Sequence, residues 1–117
     1  MNTAKNIAIL GARSHIAKGL IHNFLRKTLH RLVLFTRTTG PVTEFMEGLG
    51  SASAGRCTVE EGYERFTRGD YDVIINCVGL GPPRKLKGNH SDWFFVGENY
   101  DNLCLDYVRR KVETLYV

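Results

Sequence analysis

The sequence changes its hydrophobic period at Gly11, and that change limits what the chain can become. Ile7-Ala8-Ile9-Leu10 is an unbroken apolar run ended by Gly11, the pattern of a strand covered on both faces. From Ser14 onward the apolar residues are Ile16, Ala17, Leu20, Ile21, Phe24 and Leu25. They recur along one face of a 3.6-residue helix, and Lys18, His22, Asn23 and Arg26 occupy the wet face. Ser14 stands where an N-cap belongs. Leu32-Val33-Leu34-Phe35 reads as a second buried strand. Strand, helix and strand fit between Ile7 and Thr36, roughly the 30 residues of one βαβ unit, so the sheet is expected to be parallel.

The alternation continues with looser punctuation. Gly40-Pro41 turns the chain, Val42 to Gly48 suits a short helix, and the small residues from Gly48 to Gly55 suit a loop. Arg56-Cys57-Thr58-Val59 reads as a short third strand, and Glu60 to Arg68 as a short helix. Asp72 to Val78 is the strongest strand of the second half, stopped by Gly79-Leu80-Gly81-Pro82-Pro83 and followed by a basic loop with Arg84, Lys85 and Lys87. Asp92 is placed to cap a last helix with the apolar stripe Trp93, Val96, Tyr100, Leu103, Cys104, Tyr107 and Val108. Thr114 to Val117 reads as a fifth strand. The expected fold class is α/β: a Rossmann-type doubly wound parallel sheet of about five strands, order 3-2-1-4-5, with right-handed crossovers.

Composition removes several other classes. The 117 residues are 43% hydrophobic and 24% charged, enough for one domain with a real core and too few for separate cofactor and substrate lobes. Three widely spaced cysteines, Cys57, Cys77 and Cys104, suit neither a disulfide framework nor a zinc site, and point to a reducing, cytoplasmic setting. No apolar run approaches the roughly 18 residues of a membrane span, and the N-terminus does not read as a signal peptide. Sixteen Lys and Arg against 12 Asp and Glu give a net charge of +4, compatible with a phosphate-bearing ligand but too diffuse for a nucleic-acid surface.

The turn from Gly11 to Ala17 joins the first strand to the first helix. A residue without Cβ turns there cheaply and lets backbone approach a pyrophosphate, which then meets the free N–H groups of the helix. Ala12 and Arg13 stand where a second glycine is usual, so a turn that binds nothing is an open alternative. The second strand ends in Thr36-Arg37-Thr38, with no acid for a ribose 2′-hydroxyl. An arginine there suits a 2′-phosphate, and Arg13 lies within reach of the same group. NADP is therefore favoured over NAD. The alternative for Arg37 is a solvated residue at a strand end.

Gly11-Ala12-x-Ser14-x-Ile16-Ala17 resembles the glycine motif of the short-chain dehydrogenase/reductase superfamily, in particular its extended, epimerase/dehydratase-like branch. Asp72-x-Ile74-Ile75-Asn76-Cys77-Val78-Gly79 is similar to the fourth-strand segment of that family, and Asn99, followed by Asn102-Leu103, to its asparagine-bearing helix. Ser14 and Ala17 replace glycines common in that branch. The resemblance runs over nearly all of residues 1–117 and implies an NAD(P)-binding domain, the N-terminal part of a larger dehydrogenase- or epimerase-like fold. It implies that Gly11, Ala12, Arg13, Ser14, His15 and Ile16 cradle the cofactor phosphates and that Thr36 and Arg37 read the 2′-phosphate. Asn76, Cys77, Val78, Gly79 and Asn99 would border the middle of the cofactor.

The same resemblance places a catalytic Ser after the fifth strand and a Tyr-x-x-x-Lys pair on the helix beyond it. The chain stops in the fifth strand, so it is expected to lack turnover. The literal Tyr107-x-x-x-Lys111 lies before that strand, with Tyr107 in the buried stripe and Lys111 near the last-turn carbonyls, and is not expected to be catalytic. His15 and His22 have no third ligand at metal spacing. Cys77 reads as a small core residue, and Ser91 as part of a helix entry. Two functions remain in view: the cofactor domain of an NADP-dependent oxidoreductase or nucleotide-sugar epimerase/dehydratase, and a non-catalytic nucleotide sensor acting through a partner. With the fifth strand poorly covered, a homodimer or swapped oligomer is expected.

Overall fold

A computed structural model of the chain describes residues 4–37, 39–48, 55–78, 100 and 102–117. Five strands, β1 (Asn6–Leu10), β2 (Arg31–Thr36), β3 (Cys57–Glu61), β4 (Val73–Asn76) and β5 (Leu115–Tyr116), form one parallel sheet in the order β3-β2-β1-β4-β5. Helix α1 (His15–Lys27) connects β1 to β2, α2 (Thr39–Gly48) lies between β2 and β3, and α3 (102–110) precedes β5. This is the Rossmann-type order, with the switch point between β1 and β4.

β1 takes the centre because it can be buried on both sides. Ile9 pairs in register with Leu34 on one flank and Ile75 on the other. Its alternating side chains feed two separate cores. Ile7 and Ile9 join Leu32 and Leu34 beneath Ala17, Ile21 and Leu25 of α1 and Val42 and Met46 of α2. Ala8 and Leu10 join Phe35 and Ile74 on the opposite face, against Phe66, Tyr71 and, from α3, Cys104 and Tyr107. Each large apolar side chain buried in this way contributes about 1.5–3 kcal/mol. The second core is aromatic: Phe66 lies 5.5 Å from Phe35 and 5.4 Å from Tyr107, centroid to centroid.

α1 is fixed at both ends. The Ser14 hydroxyl accepts the Ala17 N–H at 3.1 Å, the N-cap bond read from the sequence. At the other end Arg56, just ahead of β3, donates to the carbonyls of Leu25 (2.6 Å) and Thr28. Orphan carbonyls at a helix C-terminus are thereby satisfied by a cation placed where the helix dipole favours it.

The structure corrects the sequence reading in several places. The helix expected from Glu60 to Arg68 is not formed. β3 runs to Glu61 because Phe35 and Thr36 need partners, and they pair with Glu60 and Glu61. Gly62, at φ +75°, then breaks the strand, and only a 3-10 turn at Phe66–Arg68 follows. α2 begins at Thr39 instead of Val42, with Pro41 in its first turn, where a missing N–H costs nothing. β4 is shorter than the apolar run: the Asp72 carboxylate accepts the Asn6 N–H, and the Asn76 side chain accepts the Val78 N–H. Ile16 is 74% exposed, because the first turn of α1 presents Ala17 and not Ile16 to the core. The basic loop and the start of the last helix lie outside the described residues. No helix among the described residues is long and apolar enough to cross a membrane.

Candidate functional site

The carboxyl ends of β1, β2 and β4 converge at the switch point, and Gly11 is the residue that permits it. Its φ is +70°, and a Cβ there would lie 2.7 Å from the carbonyl carbon and oxygen of Cys77 and from the Val78 nitrogen. The missing side chain is therefore required by the exit of β4, which is hydrogen-bonded to β1 through Cys77 N–H and the Leu10 carbonyl at 2.8 Å.

The backbone donors of the turn divide into two sets. Four are consumed internally. Gly11 N–H goes to the Tyr63 hydroxyl (3.1 Å), Ala12 N–H to the Phe35 carbonyl (3.0 Å), Ser14 N–H to the Gly11 carbonyl (2.9 Å) and Ala17 N–H to the Ser14 hydroxyl. The N–H groups of Arg13, His15 and Ile16 have no acceptor among the described residues. They stand at the positive end of α1, whose first turn carries no acid. Arg13, His15 and Ile16 are also exposed. Among the described residues, the amides of Gly11, Ala12 and Ser14 are thus engaged and those of Arg13, His15 and Ile16 are not.

At the end of β2, Thr36 is buried at 3% exposure and its carbonyl accepts the Gly62 N–H at 2.7 Å. Arg37 beside it is exposed. Its Nε and Nη2 both donate to the Tyr100 hydroxyl, at 3.2 and 3.1 Å, and this bond raises the arginine's already high pKa. Tyr100 in turn packs on Tyr63 (centroids 4.8 Å), and Tyr63 stacks on Phe35 (6.0 Å). Burial pushes the Tyr63 phenol up in pKa, and the Gly11 N–H pulls it partly back. A continuous chain of contacts thus runs from the β1 turn through two tyrosines to Arg37. Acids do stand in register with the end of β2, Glu60 opposite Phe35 and Glu61 opposite Thr36; Glu60 pairs with Arg65 at 3.6 Å.

On the β4 side, Asn76 Oδ1 accepts the Val78 N–H at 3.0 Å and Nδ2 donates to the Tyr116 hydroxyl at 3.3 Å. Asn76 therefore shapes the strand exit and ties it to β5. Cys77 and Val78 are half-buried, and burial raises the pKa of the Cys77 thiol. Gly79 and Asn99 lie outside the described residues. Tyr107 is 1% exposed, and its hydroxyl accepts the Tyr71 N–H and donates to the Gly69 carbonyl. Lys111 does not face the last-turn carbonyls as expected; its ammonium pairs with the opposite charge of Asp70 at 3.0 Å.

Sequence reasoning missed the two tyrosines. Tyr100 is masked by its place in a helical apolar stripe, and Tyr63 by the helix wrongly expected there. The available signal was a tyrosine directly after a strand-ending glycine, an apolar ring with a polar tip at the edge of a core. Among the described residues no three His, Cys, Asp or Glu side chains gather at metal-ligand range.

No protein-family model matches the chain, and no curated protein does. Solved structures do. A short-chain dehydrogenase/reductase from Veillonella parvula DSM 2008 is 25% identical over 63% of this chain and 35% of its own, with a TM-score of 0.52. A second structure with the same source, in complex with NADP, is 24% identical over the same shares, with a TM-score of 0.51. The thiolation-reductase di-domain of an archaeal non-ribosomal peptide synthetase aligns over 97% of this chain and 34% of its own, at 14% identity and a TM-score of 0.76. Lactate dehydrogenase from Cryptosporidium parvum, bound to lactic acid and nicotinamide adenine dinucleotide, aligns over 99% and 37%, at 17% identity and 0.65. The chain spans about a third of the length of these structures. Its five-stranded sheet has the Rossmann-type order, and the short-chain dehydrogenase/reductase structures are among those it resembles.

Proposed function

We propose that this chain is an NADP-preferring dinucleotide-binding domain spanning residues 1–117, the N-terminal part of a larger NAD(P)-dependent oxidoreductase or nucleotide-sugar epimerase/dehydratase. One observation carries the reading: among the described residues the N–H groups of Arg13, His15 and Ile16 have no acceptor at the positive end of α1, beside a β2 terminus that carries Arg37 instead of an acid. Backbone donors at a helix N-terminus suit a pyrophosphate, and a guanidinium suits a 2′-phosphate. The NADP complex of the Veillonella enzyme supports the ligand class. The dinucleotide of the Cryptosporidium enzyme supports the class but not the preference. When bound, the nicotinamide supplies hydride transfer. The residues of this chain hold and orient its adenosine half, and none of them is assigned to the chemistry.

Calorimetric titration with NADP⁺, NAD⁺ and a coenzyme A control, repeated on Arg37→Ala, tests the proposal. The expected result is tighter binding of NADP⁺ than NAD⁺, with the difference removed by the substitution. Loss of a charge-assisted phosphate contact costs about 1.5–3 kcal/mol, roughly 10- to 150-fold in Kd. Absence of binding by either dinucleotide overturns the reading.

A further inference from the structure

We infer that Tyr100 is a positioning residue that sets selectivity for a 2′-phosphorylated adenosine by holding the Arg37 guanidinium in one orientation, an inference that rests on the NADP reading above. The geometry of the bond carries it. Nε and Nη2 form the lateral edge of a guanidinium, and both donate to the single Tyr100 hydroxyl, at 3.2 and 3.1 Å. That leaves the end-on fork, Nη1 and the second Nη2 hydrogen, with no acceptor among the described residues. The end-on fork presents two parallel N–H groups, a match for two oxygens of a phosphomonoester.

The anchor is itself held. The Tyr100 ring packs on Tyr63, whose hydroxyl is fixed by the Gly11 N–H and whose ring stacks on Phe35 in the core. Arg37 is exposed and without such a partner would spread over many rotamers, losing that freedom only when ligand binds. The clamp removes part of that loss beforehand, and it acts only on a ligand that reaches the guanidinium. Adenosine 5′-phosphates without a 2′-phosphate do not use it. Tyr100 thus separates two ligands that differ by one phosphate, a distinction that general loosening of the fold would not produce.

The test compares adenosine 2′,5′-bisphosphate with 5′-AMP by calorimetry on the wild-type chain, Tyr100→Phe and Arg37→Ala. Tyr100→Phe keeps the ring and removes only the acceptor, and thermal melting confirms that the fold is retained. The expected outcome is a three- to tenfold weakening of the bisphosphate in Tyr100→Phe with 5′-AMP unchanged, and loss of all discrimination in Arg37→Ala. Equal weakening of both ligands assigns Tyr100 a merely structural role and overturns the inference. Unchanged or tighter bisphosphate binding in Tyr100→Phe also overturns it, the second because the hydroxyl would then be competing with the ligand for Arg37. In both cases wild-type binding leaves the dinucleotide reading standing. If the wild type binds 5′-AMP and the bisphosphate equally, the selectivity inference falls together with the NADP preference while dinucleotide binding stands; if it binds neither ligand nor NADP⁺, the whole reading falls.

Discussion

The hydroxyl of Tyr63 accepts the N–H of Gly11 at 3.1 Å, joining the end of β3 to the turn after β1 across 52 residues of sequence. It ties one core face to the candidate phosphate site, and it removes from that site a donor that the sequence pattern would assign to the ligand. The bond lies in a part-buried position, where a donor left without a partner costs about 1–3 kcal/mol. Tyr63→Phe keeps the stacking on Phe35 and deletes only the hydroxyl. It is expected to lower stability by about 1–2 kcal/mol, read as a lower urea midpoint with an unchanged slope. An unchanged midpoint would show that the Gly11 amide is satisfied equally well by solvent.

Gly11→Ala is expected to be far worse, for two separate reasons. A left-handed φ of +70° costs an alanine about 1–2 kcal/mol. The added Cβ also meets backbone atoms of Cys77 and Val78 at 2.7 Å, and backbone at a strand exit yields little. Overpacking of this kind adds about 1–3 kcal/mol. The sum is a loss of about 2–5 kcal/mol in denaturant unfolding. The amide of Cys77, bonded to the Leu10 carbonyl, should lose hydrogen-exchange protection first. A substitution costing less than 1 kcal/mol would mean that the β4 exit moves freely.

The placement of β1, α1 and β2 was legible in the sequence because each rests on local periodicity, and the strand order followed from the Rossmann-type pattern they belong to. The apolar run Ile7–Leu10, the Ser14 cap and the row Ala17, Ile21, Leu25 report burial directly. The segment from Glu60 to Arg68 was not legible, since its local composition suits a helix while Phe35 and Thr36, distant in sequence, hold Glu60 and Glu61 in a strand. The same limit applies at the candidate site. Residue types at Gly11 and Arg37 pointed to phosphate chemistry, but which backbone donors remain available depends on Tyr63 and Phe35, and what Arg37 touches depends on Tyr100. Those are long-range contacts, and no spacing rule encodes them.

Stability should fall in alkali, beginning with Cys57. Its thiol is packed against the α1–α2 core, and desolvation raises its pKa from 9.0 to about 11, the adjacent Arg56 opposing only part of the rise. A group whose pKa is higher in the folded state binds its proton more tightly there. The associated stability is complete below pH 9 and is lost as pH climbs toward about 11. Tyr63, raised by burial, extends the loss above its ordinary value near pH 10. Urea midpoints measured from pH 8 to 11 should therefore decline, and Cys57→Ala, whatever its own cost at neutral pH, should flatten the early part of that decline. An identical pH slope in the variant would assign the loss to Cys77 and the tyrosines, whose pKa values burial also raises.

Tyr107 and Lys111 have the spacing of a catalytic pair, and their surroundings predict opposite, purely structural behaviour for the two. The Tyr107 hydroxyl is enclosed between the Tyr71 N–H (2.9 Å) and the Gly69 carbonyl (3.0 Å) in the aromatic core, so Tyr107→Phe leaves two polar groups of that loop unpartnered. The expected cost is about 1–3 kcal/mol. At about 4–8 °C of melting temperature per kcal/mol for a domain of this size, the change is readily measured. Lys111 pairs with Asp70 at the surface, where solvent screens the interaction, and Lys111→Ala should leave the melting temperature almost where it was. Neither substitution should alter dinucleotide affinity. A Tyr107→Phe variant that melts like the wild type but binds NADP⁺ differently would place the hydroxyl at the ligand, against its 1% exposure and its two bonds to the Gly69–Tyr71 backbone.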